Sequence, residues 1–430
     1  MLNKIEEKQA STNDSEVVNR VGVGVDKVVN NKVVSNKVIV NVAVAVIHYK
    51  EQYLLGFRNA SQHQGNRYEF VGGKIDSHET AIAALIREVG EETGIDIQGN
   101  FLVKLGRLHH DYGDKKVCLQ VYKVALTAEQ YQQHQHCDYG LEGQALTWVA
   151  KNQLLAGDYP LPAANQTILT WLQLPAQITI TYPLTQFSEC NDISTAWIAY
   201  HQQHISKNAW VYIRPKVLDI EDKIVKVEKI TDAELATQLM CLRPDIYSVL
   251  AYASVHQLLT KSERPEHSLP AEISGQVAAL HLTHYELMQW FDNFKKNDSR
   301  ESSSEDRTSQ DQAKGSQFAS LDLSLSGLPP IDLPLIVSCH DADSIQAANQ
   351  LATTRLQYQQ SPVMGIFLSP VLATQSHPDS EPLGWKEWAA LAQLADMPVI
   401  GLGGLSPLLA EQAAQYGAMS IAGIRHFLQH

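Results

Sequence analysis

The sequence predicts two folds in one chain, of classes α+β and α/β: a mixed sheet sandwiched by helices, then a (β/α)8 barrel. Three observations carry this. A β-branched stretch, VIVNVAVAVIHY (38–49), opens a hairpin and leads to a helix crowded with carboxylates. From residue 178 onward, eight apolar strand candidates alternate with helical stretches, the pattern of a parallel barrel. The length of 430 residues and a hydrophobic content of 44% suffice for two cores.

In the first half, residues 1–36 are rich in Asn, Val, Lys and Glu and read as a disordered or loosely ordered tail. YLLGFR (53–58) returns from the first strand after a turn at Lys50-Glu51-Gln52. A polar loop follows, then YEFVGG as a strand ending in Gly72-Gly73. LVKLGRLHHDYG and KVCLQVYKVAL read as strands, 129–140 as a His/Gln-rich loop, LTWV (146–149) as a short strand, and a helix begins near Asn165. Residues 81–92 have helical composition, with only Gly90 as a breaker. There Glu88, Glu91 and Glu92 are spaced i, i+3 and i+4 and share one face. Arg87 stands four residues before Glu91, and Ala81, Ala84, Leu85 and Val89 form the apolar face. Like charges so placed repel unless a cation sits among them, and a hard divalent ion takes oxygen ligands.

An acidic helix face is usually just solvated. Here the wider spacing argues otherwise: Gly73, five residues, Glu79, seven residues, Arg87-Glu88-Val89, then Glu91-Glu92 and Gly94-Ile95. This resembles the Nudix box at every position. The resemblance implies the Nudix fold and a Mg²⁺-dependent hydrolase of diphosphates linked to another moiety, with Mn²⁺ as an alternative. It implies Gly73 (by its carbonyl), Glu88, Glu91 and Glu92 as metal ligands. It also makes Glu88, or Glu91, the base and has Arg87 orient a glutamate.

Further residues resemble the MutT type, the 8-oxo-dGTP diphosphatases. Arg58, His63 and Phe70 fall at that family's nucleotide-pocket spacing, and YEFVGGK is similar to its LEFPGGK, with Val71 in place of Pro. Glu142-Gly143-Gln144 resembles its EGQ segment, which implies Glu142 as an added metal ligand. LPAANQTIL (161–169) resembles its PPAN segment, so Asn165 is the expected reader of the oxidised purine. A second Arg of the pocket falls at Lys115, and a Lys point charge does not replace an Arg fork.

The second half contains ITITYP (178–183), WVYIRPK (210–216), LMCLRPD (239–245), VAALHLTHYEL (277–287) and PLIVSC (334–339). VMGIFLSP (363–370), PVIGLGG (398–404) and MSIAGIRHF (419–427) complete the strand set. Residues 293–319 are polar and Ser-rich and read as a disordered insertion. VYIRPK, VSCHDADSIQAA, LSPVLATQS and PVIGLGGLSP resemble the thiamine-phosphate synthase and TenI family of TIM-type barrels. That resemblance implies a phosphate held after Gly403-Gly404 and a catalytic position at His340. Departures from the family are the missing Asn-Asp after the third strand, read at Leu242-Arg243-Pro244, and His377 for a lysine. Two readings of the barrel follow: metal-free proton transfer by His340, or phosphate binding without activity.

The expected division is a Nudix domain over 37–174 and a barrel over 177–430. A net charge of −13 argues against direct nucleic-acid binding, though not against a nucleoside triphosphate substrate. Five scattered cysteines without CxxC spacing read as free thiols in a reducing compartment, and no apolar run reaches membrane-spanning length. The expectation is a cytoplasmic 8-oxo-dGTP diphosphatase whose barrel takes a phosphorylated thiamine-pathway ligand. The rivals are a Nudix enzyme of other diphosphates and a barrel that only binds.

Overall fold

The computed structural model describes residues 39–61, 64–216, 230–261, 269–303, 331–374 and 381–429. The expected tail at 1–36 and His63 lie outside them.

The first half is built on β1 (Ile39–Tyr49), β2 (Gln52–Arg58), β3 (Arg67–Glu69), β4 (Val71–Lys74), β5 (Phe101–Asp111), β6 (Lys116–Ala125) and β7 (Leu146–Ala150). The sheet runs β3-β2-β1-β6-β5, with β4 also on β1 and β7 also on β2. Only the β1–β6 pair in it is parallel. The single strand expected at YEFVGG is split at Phe70: β3 pairs with β2, and β4 crosses to β1.

Strand alternation gives the sheet two different faces. Ala43, Ala45 and Ile47 of β1 face α1 (Ala81–Thr93) and its Ala84, Leu85 and Val89. Val44 and Val46 face the opposite core, with α4 (Asn165–Leu172). Thr80 caps α1 by accepting from Ala83 N at 3.2 Å, and Gly94, at φ 75°, ends it. Part of the loop expected at 129–140 is helix: α2 (Ala128–His134) has a Thr127–Gln130 capping box, a start signal inside a polar run. The short α3 (Lys151–Ala156) precedes α4.

The second half is a closed parallel barrel of β8 (Gln177–Ile180), β9 (Trp210–Ile213), β10 (Tyr247–Ala251), β11 (Val277–Leu282), β12 (Leu335–Cys339), β13 (Val363–Leu368), β14 (Val399–Leu402) and β15 (Ser420–Gly423). Ile178, Tyr212, Val249, Ala279, Ile336, Phe367, Ile400 and Ala422 fill its interior. The third strand is not LMCLRPD. Leu239–Leu242 close α6 (Asp232–Leu242), following α5 (Ile193–His204), and the strand is YSVLA (247–251). The Thr231–Glu234 capping box and burial of Ala233, Ala236, Leu239 and Met240 make the apolar run a helical stripe. Helices α7 (Tyr252–Lys261), α8 (Ala271–Ser274) and α9 (His284–Ser303) follow, then Ala342–Gln357, Gly384–Ala392 and Ala410–Gln415. Because α9 extends through Ser303, the insertion expected from 293 is helical for its first eleven residues. Its remainder, 304–319, lies outside the described residues.

Val38–His430 form one compact unit. The N-terminal ends of the barrel strands meet β5 and α4. Trp171, 2% exposed, donates from Nε1 to Val363 O at 3.1 Å. Lys104 Nζ donates to Gln393 O and Ala395 O at 2.7 and 2.9 Å, and Arg107 Nε to Asp396 Oδ1 at 3.0 Å. Leu174, at the end of the expected first domain, packs among the barrel's interior residues. Trp171→Ala should lower unfolding free energy by about 3–5 kcal/mol, the range for emptying a buried aromatic site. Urea denaturation of the full chain measures this, and a loss below about 1 kcal/mol would show that the junction does not stabilise the fold.

Candidate active site

The site is built where β4 meets α1. A Cβ added at Gly73 would lie 2.1 Å from the Glu88 carboxyl carbon, so the carboxylate rests where any other residue would place its side chain. Gly72, at φ 150°, brings β4 equally close to β1: a Cβ there would meet Ala43 O at 2.1 Å. Arg87 braces the helix against this turn. Its Nη2 donates to Glu79 Oε1 at 2.6 Å and to Lys74 O at 3.1 Å. Its Nη1 donates to Glu88 Oε1 at 2.9 Å and Glu91 Oε2 at 3.0 Å. These carboxylates hold the guanidinium above its ordinary range.

Glu92 is the most perturbed acid of the group. Burial first, then the charges of Glu69, Glu88 and Glu142, push its carboxyl up to about 8. Glu142 sits in an exposed loop tied to the end of α1: Leu141 N donates to Glu92 O at 2.8 Å and Gln144 Nε2 to the same oxygen at 3.1 Å. Gln144 Oε1 is buried without a partner.

These donors are all oxygens, which suits a hard divalent cation, and such a cation would favour the ionised form of the crowded Glu92 carboxyl. Among the described residues, however, no three His, Cys, Asp or Glu side chains stand as a group ready to hold a metal ion. The ligand set Gly73, Glu88, Glu91, Glu92 and Glu142 is therefore not closed into a coordination shell. The reason is local: Arg87 engages Glu88 and Glu91, and Glu91 is 55% exposed along its side chain.

Beside the carboxylates lie the residues expected to bind a nucleotide. Arg58 pairs with Glu69 across β2 and β3. The Tyr112 hydroxyl reaches the backbone of Ala164 at the start of α4. Asn165 is 7% exposed. Phe70, expected to stack on a base, is a core residue at 4% exposure, so a base reaches its ring only if a neighbour moves. Lys115 lies in the β5–β6 turn, where its carbonyl accepts from Tyr112 N at 3.0 Å.

In the barrel, His340 follows β12, and its Nδ1 donates to Ser369 O at 2.8 Å. The His284 ring lies 5.0 Å from it. Deeper inside, His281 bridges the Tyr212 hydroxyl at 2.7 Å and Ser338 Oγ at 2.8 Å; burial, then Arg214, push it down to about 3. Gly403 and Gly404 take φ 99° and 68°, and added Cβ atoms would lie 2.8 Å from Pro370 Cβ and 2.6 Å from Ala373 O. Those glycines are thus needed for packing, whatever else they bind. With the third strand at β10, the residues after it are Tyr252-Ala253-Ser254, not Leu242-Arg243-Pro244. Neither set offers a carboxylate. Arg243 instead ties the end of α6 to Asp245 and to the carbonyls of Gln202, Ile205 and Ser206. His377 lies outside the described residues.

Comparison with known proteins finds two families along the chain. The NUDIX domain family matches residues 42–171. The 8-oxo-dGTP diphosphatase of Escherichia coli (strain K12) is 31% identical over 133 residues, covering 31% of this chain and 95% of that protein. The chain belongs to the NUDIX-domain family. The CTP pyrophosphohydrolase of the same organism is 30% identical over 129 residues, 30% of this chain and 87% of that protein. Residues 332–427 match the thiamine monophosphate synthase family. A putative thiamine-phosphate synthase 2 of Aquifex aeolicus (strain VF5) is 38% identical over 64 residues, which is 15% of this chain and 34% of that protein. The chain thus spans about a third of that relative and nearly all of the first. A Nudix domain and a thiamine monophosphate synthase-type domain are fused in one polypeptide.

In the Nudix half, sequence reasoning overlooked Glu69, Tyr112 and Gln144. Glu69 was within the quoted YEFVGGK and Gln144 within EGQ; only the β2–β3 register and the loop's tie to α1 single them out. Gly73→Ala should cut turnover about 100-fold, because displacing a catalytic carboxylate by about 1 Å suffices for that. Thermal melting checks that the fold persists, and turnover within about threefold of wild type would mean that Glu88 need not lie against Gly73.

Proposed function

We propose that the Nudix half, residues 37–174, hydrolyses 8-oxo-dGTP to the monophosphate and diphosphate, clearing an oxidised nucleotide from the cytoplasmic pool. The observation that carries this is the Gly73–Glu88 contact braced by Arg87, beside the crowded carboxyl of Glu92. Gly73, Glu88, Glu91, Glu92 and Glu142 would hold Mg²⁺. When bound, the ion neutralises the phosphate chain and lowers the pKa of an attacking water. Glu88 takes the proton from that water. Arg87 keeps the Glu88 carboxylate turned toward Gly73, and Glu79 keeps Arg87 in place. Arg58 and Asn165 hold the nucleoside end, with His63 and Lys115 as further contacts. Phe70 forms the pocket wall rather than an open stacking platform.

The similarity to a CTP pyrophosphohydrolase, close to that for the 8-oxo-dGTP diphosphatase, favours a second reading: a pyrophosphohydrolase of ordinary nucleoside triphosphates. Asn165 separates the two. Oxidation at C8 turns N7 from an acceptor into a donor, and a side-chain amide offers both donor and acceptor. For the barrel, residues 177–430, we propose binding of a phosphorylated ligand near Gly403, Gly404 and His340 without Mg²⁺-dependent synthase chemistry. The carboxylate-free sequence after β10 supports this.

Glu88→Gln keeps the shape and removes the base, so turnover should fall about 100-fold or more. Near wild-type turnover at saturating Mg²⁺ would remove Glu88 from the mechanism. Asn165→Ala should cost about 1–3 kcal/mol in 8-oxo-dGTP kcat/KM and less for dGTP. Equal losses for both substrates would leave a generic nucleoside triphosphate pyrophosphohydrolase.

A further inference from the structure

The helix that opens with Asn165 ends on the barrel. Trp171 lies near the far end of α4, and its ring sits between the two halves of the molecule. On one side it meets β5, where a Cβ added at Gly106 would lie 2.7 Å from Trp171 Cη2. On the other side its Nε1 donates to Val363 O at 3.1 Å, at the start of β13. The chain then runs straight into the barrel: a Cβ added at Gly365 would lie 3.4 Å from Leu174 Cδ1.

Asn165 has no such tie of its side chain. Among the described residues its amide makes no hydrogen bond, and only its backbone N–H is engaged, donating to Pro162 O at 2.9 Å. Neither amide atom is sealed from solvent, although the residue as a whole is 7% exposed. The amide therefore goes where the backbone of α4 puts it. A helix of eight residues is about 12 Å long and moves as one rod. At its start the Tyr112 hydroxyl meets the Ala164 backbone. A rod tied at one end still turns about the tie, and the Asn165 amide turns with it.

Packing alone does not stop that turn. A cavity lies on the barrel side of α4, lined by Thr167 and Trp171 of the helix, by Arg107 and His109 of β5, and by Thr353 and Asp396. Side chains that face a void lack attraction from that direction, so the helix has room to shift. The Trp171 ring and its hydrogen bond to the barrel close the far end.

We infer that Trp171, seated on the barrel, is a positioning residue for the Asn165 amide, so that the barrel sets how sharply the Nudix half tells one purine base from another. The inference rests on the reading of Asn165 as the residue that contacts the base. At 2% exposure, Trp171 acts through α4 and not on the substrate.

The test uses the full chain and the variants Trp171→Phe, Asn165→Ala, their double and Lys104→Met. Phenylalanine keeps an aromatic ring but has no Nε1 donor. Lys104→Met removes the donor to Gln393 O and Ala395 O, a junction contact outside α4. The quantity read is the ratio of kcat/KM for 8-oxo-dGTP to that for dGTP. Equilibrium binding of 8-oxo-dGMP and dGMP gives the same ratio without turnover. Thermal melting fixes a temperature at which every variant is folded. Asn165→Ala should lower the ratio. Trp171→Phe should lower it about threefold or more, since a displacement of about 1 Å spoils a placed contact. The double variant should be no lower than Asn165→Ala alone, because both changes act on one contact. Lys104→Met should loosen the junction and leave the ratio unchanged. The Mg²⁺ activation midpoint should stay in place throughout, because α1 packs on the opposite face of the sheet.

An unchanged ratio in Trp171→Phe beside a lowered one in Asn165→Ala would overturn the inference and leave the base reading standing. An equal fall in Lys104→Met would overturn it by showing that discrimination follows stability. Additive falls in the double variant would overturn it by showing that Trp171 acts elsewhere than through Asn165. An unchanged ratio in Asn165→Ala would sink the base reading itself, and the inference with it. Trp171→Tyr lacks the same donor and fills more of the space; it replaces Trp171→Phe if that variant does not fold, with the same outcomes.

Discussion

The Glu88 carboxylate lies against a residue with no side chain, and the rest of the first site follows from that contact. Gly73 can occupy the position only because β4 is drawn tightly onto β1 at Gly72, and β1 offers small Ala43 and Ala45 toward α1. Once Glu88 is there, Arg87 on the next position reaches back to Glu79 and the Lys74 carbonyl and clamps the turn to the helix. Glu92 is not part of the clamp, and its burial first, then the charges of Glu69, Glu88 and Glu142, raise its carboxyl. Charge balance in the site is thus incomplete by construction, which is the condition a divalent ion relieves.

The same strand divides the molecule. Ala43, Ala45 and Ile47 face the helix that carries the carboxylates; Val44 and Val46 face α4, behind which the barrel docks. The docking uses β5, α4 and Leu174 against the N-terminal ends of β13 and β14 and the barrel interior. In this fold, conservation and contacts at that end serve stability, and chemistry sits at the opposite end. His340 follows β12 and Gly403 follows β14, at that opposite end. The fusion therefore joins the Nudix half to the end of the barrel opposite His340 and Gly403.

Much of this was legible in the chain. The box was readable because its chemistry depends on fixed helical spacing: Arg87, Glu88, Glu91 and Glu92 interact within one turn or with a turn just before it. Most barrel strands were readable from short β-branched runs. The third was not, because Leu239-Met240-Cys241-Leu242 is apolar at both strand and helix period, and only the Thr231–Glu234 box decides for helix. Phe70 illustrates a different limit. Its motif position suggests a base platform, but whether a ring beside a glycine turn is open or covered depends on α4, nearly a hundred residues later. Glu69 was hidden for the same reason, since its partner Arg58 is eleven residues away and adjacent only through the hairpin register.

The two halves solve the binding of phosphate oxygens in opposite ways. The Nudix half concentrates carboxylates, oxygen donors of the kind that suit a hard divalent cation. Among the described residues at the barrel's open end, two acids are engaged in helix caps. Glu286 accepts from Thr283 N at 2.7 Å and Thr283 Oγ1 at 2.8 Å, capping α9. Asp341 accepts from Ser344 N at 2.8 Å and Ser344 Oγ at 2.7 Å, capping the helix Ala342–Gln357. Carboxylates held in caps cannot turn toward a metal without exposing helix N–H groups. Near β11 and β12 lie the rings of His284 and His340, 5.0 Å apart, with His340 Nδ1 donating to Ser369 O.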